Sequence, residues 1–98
     1  MKTSKEQMSE YLERLQQLQR QSMGALHSIS IDTSTLYGKE VAISVFIHLY
    51  KWSKDKKNTK VTKAFKHWSI SEWHDEAENN KKMREVKQYM VKHEMIEL

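Results

Sequence analysis

The chain has no cysteine and no proline, and its 98 residues include only two glycines. Each shortage removes a class of protein. Without cysteine there is no disulfide scaffold, no dithiol redox motif and no thiolate zinc site. Gly24 and Gly38 are too few and too far apart for a phosphate-cradling loop, a dinucleotide fingerprint or a nucleophile elbow. Long hydrophobic runs are missing too. The longest mostly apolar stretch, Val41 to Tyr50, is interrupted by Ser44 and His48. It is about half of the ~20 residues that a membrane-spanning helix needs. The opening Met1-Lys2-Thr3-Ser4-Lys5-Glu6 lacks the apolar core of a secretory signal. A soluble cytoplasmic protein with no membrane partner is the expectation. Apolar residues make up 38% of the chain. Counting glycine and omitting tyrosine lowers that share further, against about 45–50% in an average globular chain. One domain over residues 1–98 fits the length, with a thin hydrophobic core that a second subunit or a partner would complete.

What is present reads as five elements. Met8, Tyr11, Leu12, Leu15 and Leu18 recur at three- and four-residue steps, the apolar stripe of a helix over about 5–25. Ser4 and Gln7 have the spacing of a capping box at its start. Leu26 to Asp32 alternates apolar with polar and predicts a strand over about 26–32. Val41, Ile43, Val45, Ile47 and Leu49 then share one parity, with Ala42, Ser44, Phe46, His48 and Tyr50 on the other. The β-branched set predicts a strand over about 40–52 with one buried face, although Val41, Val45, Leu49 and Trp52 also fit a helical stripe. Ser53 to Thr59 is a polar turn, and the simplest reading makes 59–68 the returning strand of a hairpin. Val61, Ala64, Phe65 and Trp68 match helical spacing equally well. The strand is preferred because Ser69-Ile70-Ser71-Glu72 looks like a new capping box, with Trp68 and Trp73 placed as its hydrophobic staple. A last helix would run over about 70–94, kinked or frayed where Asn79-Asn80 interrupts its stripe. Acidic residues early and basic residues late suit its dipole.

The expected fold is therefore α+β, a small two-layer α-β-β-β-α domain in which a three-stranded antiparallel meander packs on two helices. That order resembles double-stranded-RNA-binding domains, which read RNA by shape. Those domains carry a basic cluster at the start of the last helix, where this chain has Glu72, Asp75, Glu76 and Glu78. The resemblance is one of order, and no family is assigned.

Two surfaces stand out. Between Lys51 and Trp68 lie Lys51, Lys54, Lys56, Lys57, Lys60, Lys63 and Lys66 against Asp55 alone, a net +6 in a chain whose total is +4. Trp52, Phe65 and Trp68 are interleaved with them. Lysines displace counterions from phosphate, and exposed rings offer stacking faces to unpaired bases. The competing role is structural, since lysines guard edge strands and hairpin aromatics fill cores. The stretch also lacks arginine, the better bidentate phosphate ligand. Rings turned outward would bring nucleic-acid binding level with protein binding, and rings turned inward would leave the lysines as solubilising decoration. The second surface is the stripe Met8, Tyr11, Leu15 and Leu18, which also occupies heptad a and d positions. It packs on the sheet or forms a dimer face.

Five histidines prompt a metal search, but His74 with Glu78 gives one helical pair, short of the three or four protein ligands of a stable zinc site. No catalytic constellation assembles either. No cofactor, metal, catalytic residue or small-molecule ligand is expected. The leading expectation is a non-enzymatic protein that binds another protein or a second copy of itself, with Met23, Met83, Met90 and Met95 as an adaptable apolar surface. Its make-up suits a bacterial or bacteriophage accessory protein. The alternative is a nucleic-acid-binding module that uses the 51–68 hairpin.

Overall fold

The most apolar segment of the chain becomes the central strand of an antiparallel sheet. The computed structural model describes residues 2–36, 39–54 and 59–97. Its elements are α1 (Lys5–Gln21), β1 (His27–Leu36), β2 (Lys39–Ser53), β3 (Thr59–Ser71) and α2 (Glu76–Lys92). The strands are ordered β1-β2-β3 and both pairings are antiparallel. This is the α+β meander packed against two helices that the alternation and the helical stripes imply. Among the described residues, no helix is long and apolar enough to cross a membrane.

One parity of β2 makes the core. Ile43, Val45, Ile47 and Leu49 are buried, together with Ile29 of β1 and Trp68 and Ile70 of β3. The Val41 side chain lies outside the described residues. α1 lies over β2 and β1, α2 lies against β3, and both sit on this apolar side. Met8, Tyr11 and Leu15 are at most 1% exposed and Leu18 is partly buried against the same core. The stripe is therefore the seam between α1 and the sheet, and the expected dimer face at Met8, Tyr11, Leu15 and Leu18 is corrected. Each buried side chain of this size stabilises the fold by about 1.5–3 kcal/mol. Peeling α1 away to offer the stripe to a second copy would give up more than a short helical seam returns. Met83, Met90 and Met95 are buried as well, so of the four methionines expected at the surface only Met23 is there.

The helix ends follow local chemistry. Ser4 caps α1 by accepting from the Gln7 N–H at 3.1 Å, as its sequence spacing indicates. α1 stops at Gln21, short of the expected residue 25, because Ser22 is already extended and Gly24 adopts φ +101°. That left-handed turn is glycine's, and a Cβ there would come within 2.8 Å of His27 Nε2. α2 begins later than expected. Asp75 is its N-cap, accepting from the Glu78 N–H at 2.9 Å, and the Ser69–Glu72 box is not used. β3 continues through Ser71 because Ile70 pairs with Ile43 and is wholly buried there. Trp68 is buried in the sheet and Trp73 is exposed, so they form no staple. At the other end of α2, Glu94 takes the left-handed position (φ 58°) while the Glu94 and Met95 N–H groups donate to Val91 and Met90 carbonyls, the Schellman pattern.

Asn79 and Asn80 do not fray the helix. Asn79 is completely buried, and its Nδ2 donates to the Ser71 carbonyl at 2.8 Å and to Thr3 Oγ1 at 2.9 Å. Its Oδ1 accepts from the Ser71 N–H at 3.3 Å. Thr3 passes the chain on, donating to the His74 carbonyl at 2.6 Å. Asn80 accepts from the Tyr11 hydroxyl at 2.7 Å and ties α2 to α1. The polar pair is a knot joining the N-terminal segment, the end of β3 and α2.

His27 gives the fold a pH dependence. Its Nε2 is buried with no hydrogen-bond partner, and burial pushes the imidazole below its ordinary value of 6.5. As pH falls below 6.5 the unfolded chain takes up a proton that the folded chain resists, so stability drops. Between about pH 7.5 and about pH 5.5, the wild type is expected to lose more unfolding free energy in urea than His27→Gln does. Equal losses would show that His27 does not carry the dependence.

Candidate functional site

Among the described residues, no helix covers the second face of the sheet. Partners across the ladder place Ser44, Phe46, His48, Tyr50 and Trp52 of β2 on it, opposite Ser69, His67, Phe65, Thr62 and Lys60 of β3. Ser28, Ser30 and Asp32 extend it over β1. Rings therefore follow one another along β2 at two-residue steps, about 7 Å apart.

These rings make a connected surface. His67 stacks on Phe46 with centroids 4.5 Å apart, and Phe65 lies 4.8 Å from His48 and 6.0 Å from Phe46. His48 is 6.1 Å from Tyr50, whose hydroxyl is 3.0 Å from Ser28 Oγ. Lys60 Nζ stands 5.6 Å from the centre of the Tyr50 ring, a cation–π arrangement, and also donates to the Ala25 carbonyl at 3.1 Å. Phe65 is 52% exposed and Trp52 55% exposed, so both rings keep open faces.

A bulge decides which lysine joins them. Leu49 pairs with Ala64 and Tyr50 with Thr62, which leaves Lys63 as an extra residue on β3. Beyond it the alternation of β3 is reversed. Lys60 is thereby set on the ring face, and Val61 on the side of Lys51. Past Tyr50 the hairpin extends beyond the start of β1 as a two-stranded ribbon.

The basic stretch is thus divided rather than gathered. Trp52 and Lys60 share the open face. Lys51 pairs with Val61 on the opposite parity, and Lys66 is on the helix side with Nζ 5.8 Å from the Trp68 ring. Lys54 follows β2 and is exposed, and Lys63 occupies the bulge. Lys56 and Lys57 lie outside the described residues. Trp68 points inward against Tyr89, with centroids 5.4 Å apart. Of the three interleaved rings, two face out and one faces in.

The residues missed by sequence reasoning are Phe46, His48, Tyr50 and His67. Their signal was the second parity of β2, which carries aromatics and histidine where a solvated face would carry charges. Among the described residues, no group of three or more His, Asp or Glu side chains could hold a metal ion. Comparison with known proteins finds no family model, no curated protein and no solved structure that matches this chain.

Proposed function

We propose that this protein is a non-enzymatic binding module that takes up single-stranded nucleic acid on the open face of its sheet. The observation behind this reading is the uncovered run of rings from Phe46 to Trp52 with Phe65 and His67 beside it, flanked by the lysines of the hairpin. Every base has a π-face, so such a surface binds with little sequence preference. Bases in a duplex are stacked on each other and cannot reach the rings. The phosphates run past Lys60 on the face and toward Lys54 at the ribbon end.

The test is binding of labelled oligothymidine and of a duplex of equal length over a range of salt. Single strands bind more tightly than the duplex at every salt concentration. The logarithm of the binding constant falls with that of salt at about −0.7 per phosphate neutralised, so engagement of Lys54 and Lys60 gives a slope of about −1.4. A preference for duplex, or no binding at low salt, would remove the proposal.

A second reading keeps the face and changes the partner. Half-exposed Phe65 and Trp52 are the kind of apolar surface that protein interfaces cover. On this reading the sheet face docks another protein or a second copy. It predicts a dimer in sedimentation, or a captured protein partner, lost on Phe65→Ala, with no affinity for oligothymidine.

A further inference from the structure

On the opposite side of the molecule, an open groove of ≈ 800 Å³ runs between α1 and α2. Arg14, Gln17, Leu18 and Gln21 form one wall, and Asn80, Met83, Arg84 and Lys87 form the other. Each set has the spacing i, i+3, i+4, i+7, which is a single helical stripe. The groove is therefore bounded by two helix faces with about 10 Å of each lining it. The Tyr11–Asn80 hydrogen bond ties the two helices at 2.7 Å near one end. Near the other, the Met23 N–H donates to the Met95 carbonyl at 2.8 Å and holds the C-terminal segment against the α1–β1 connection. The floor is apolar: Leu18 is partly exposed there, over Met83 and Ile96, whose side chains are largely buried in the core.

Charge distinguishes this groove from an ordinary gap between helices. Arg14, Arg84 and Lys87 are exposed along its rims, facing one acid, Glu97. None of these three cations is engaged in a hydrogen bond or an ion pair among the described residues. Two helical walls with an apolar floor accept a third helix that lays its own apolar ridge between them. Unpaired cations on both walls select acidic side chains on either flank of that ridge.

We infer that the α1/α2 groove docks an acidic amphipathic helix of a protein partner, about two turns long, with an aliphatic ridge flanked by Asp or Glu. This site is independent of the nucleic-acid face. It lies in the helix layer and shares no residue with the ring surface, so one molecule holds both ligands at once.

The probe is a synthetic helical peptide with a leucine ridge flanked by glutamates, followed by fluorescence anisotropy on the whole protein. It binds with a dissociation constant tighter than about 100 μM. Arg84→Glu combined with Lys87→Glu weakens it about tenfold or more, and a peptide with lysines in place of the glutamates regains affinity for that variant. Both positions are exposed, and circular dichroism checks that the variant is folded. Peptide binding persists in Trp52→Ala/Phe65→Ala, so it stands or falls separately from the nucleic-acid reading. Absence of binding, indifference to the double charge reversal, or equal binding of a leucine-free glutamate peptide overturns the inference. So does oligothymidine affinity that falls with Arg84 and Lys87 while the peptide's does not.

Discussion

Replacing Trp52 and Phe65 together with alanine is expected to lower the affinity for oligothymidine about 30-fold or more, while the protein stays folded and its unfolding temperature falls by only several degrees. Stacking of a base on an aromatic side chain contributes about 1–3 kcal/mol, so two rings together account for at least about 2 kcal/mol. The folded state gives up little, because both rings are more than half exposed. Phe65 loses its contacts with Phe46 and His48, cross-strand pairs worth about 0.2–1 kcal/mol each. Trp52 pairs with Lys60 on the two-stranded ribbon and is not part of the core. Anisotropy with a labelled oligonucleotide measures the first effect, and thermal circular dichroism the second. Unchanged affinity in the folded double variant would mean that the rings are not a stacking surface. Loss of a dimer without any nucleic-acid phenotype would favour the protein-partner reading.

Asn79→Ala is expected to be among the most destabilising single changes, at about 2–4 kcal/mol. The alanine removes three hydrogen bonds made by one buried side chain. An average intramolecular bond contributes only about 0.5–1.5 kcal/mol, but each buried group left without a partner adds a desolvation penalty of about 1–3 kcal/mol. The Ser71 N–H, the Ser71 carbonyl and Thr3 Oγ1 all lose a partner, although Thr3 keeps the His74 carbonyl. In a domain of this size the loss lowers the unfolding temperature by more than about 10 °C. Asn80→Ala removes the single bond from the Tyr11 hydroxyl and is expected to shift it less. A fall of only a degree or two for Asn79→Ala would show that the knot between the N-terminal segment, β3 and α2 is not a main source of stability.

Most of the architecture was legible because it rests on local periodicity. One parity of β2, the three- and four-residue steps of α1 and the Ser4–Gln7 cap each speak for themselves. The start of α2 was not legible. Ser69–Glu72 and Asp75–Glu78 present the same capping spacing, and only the pairing of Ile70 with Ile43 decides between them. Asn79 looked like a defect for a similar reason, since its partners Thr3 and Ser71 come together only in three dimensions.

The candidate binding face was legible in part. A run of lysines and rings in sequence suggests one patch, yet strands send successive side chains to opposite sides. The 51–68 stretch is therefore divided between two faces, and the unforeseen bulge at Lys63 reverses which residues go where. Trp52, Phe65 and Lys60 end on the open side, and Trp68 and Lys66 on the helix side. The aromatic parity of β2 was the better guide to the site than the charge run. The groove between α1 and α2 had no linear signature, because its two stripes are far apart in sequence.

The central claim is that bases stack on the open face of the sheet. Its most direct test is an NMR titration of the protein with oligothymidine at low salt, following the side-chain resonances. Shifts concentrated on Phe46, His48, Tyr50, Trp52, Phe65 and His67, with Trp68 and the groove residues Met83 and Arg84 unmoved, are the predicted result. Shifts confined to the helix side, or none at oligonucleotide concentrations that saturate the salt-sensitive binding, would contradict it.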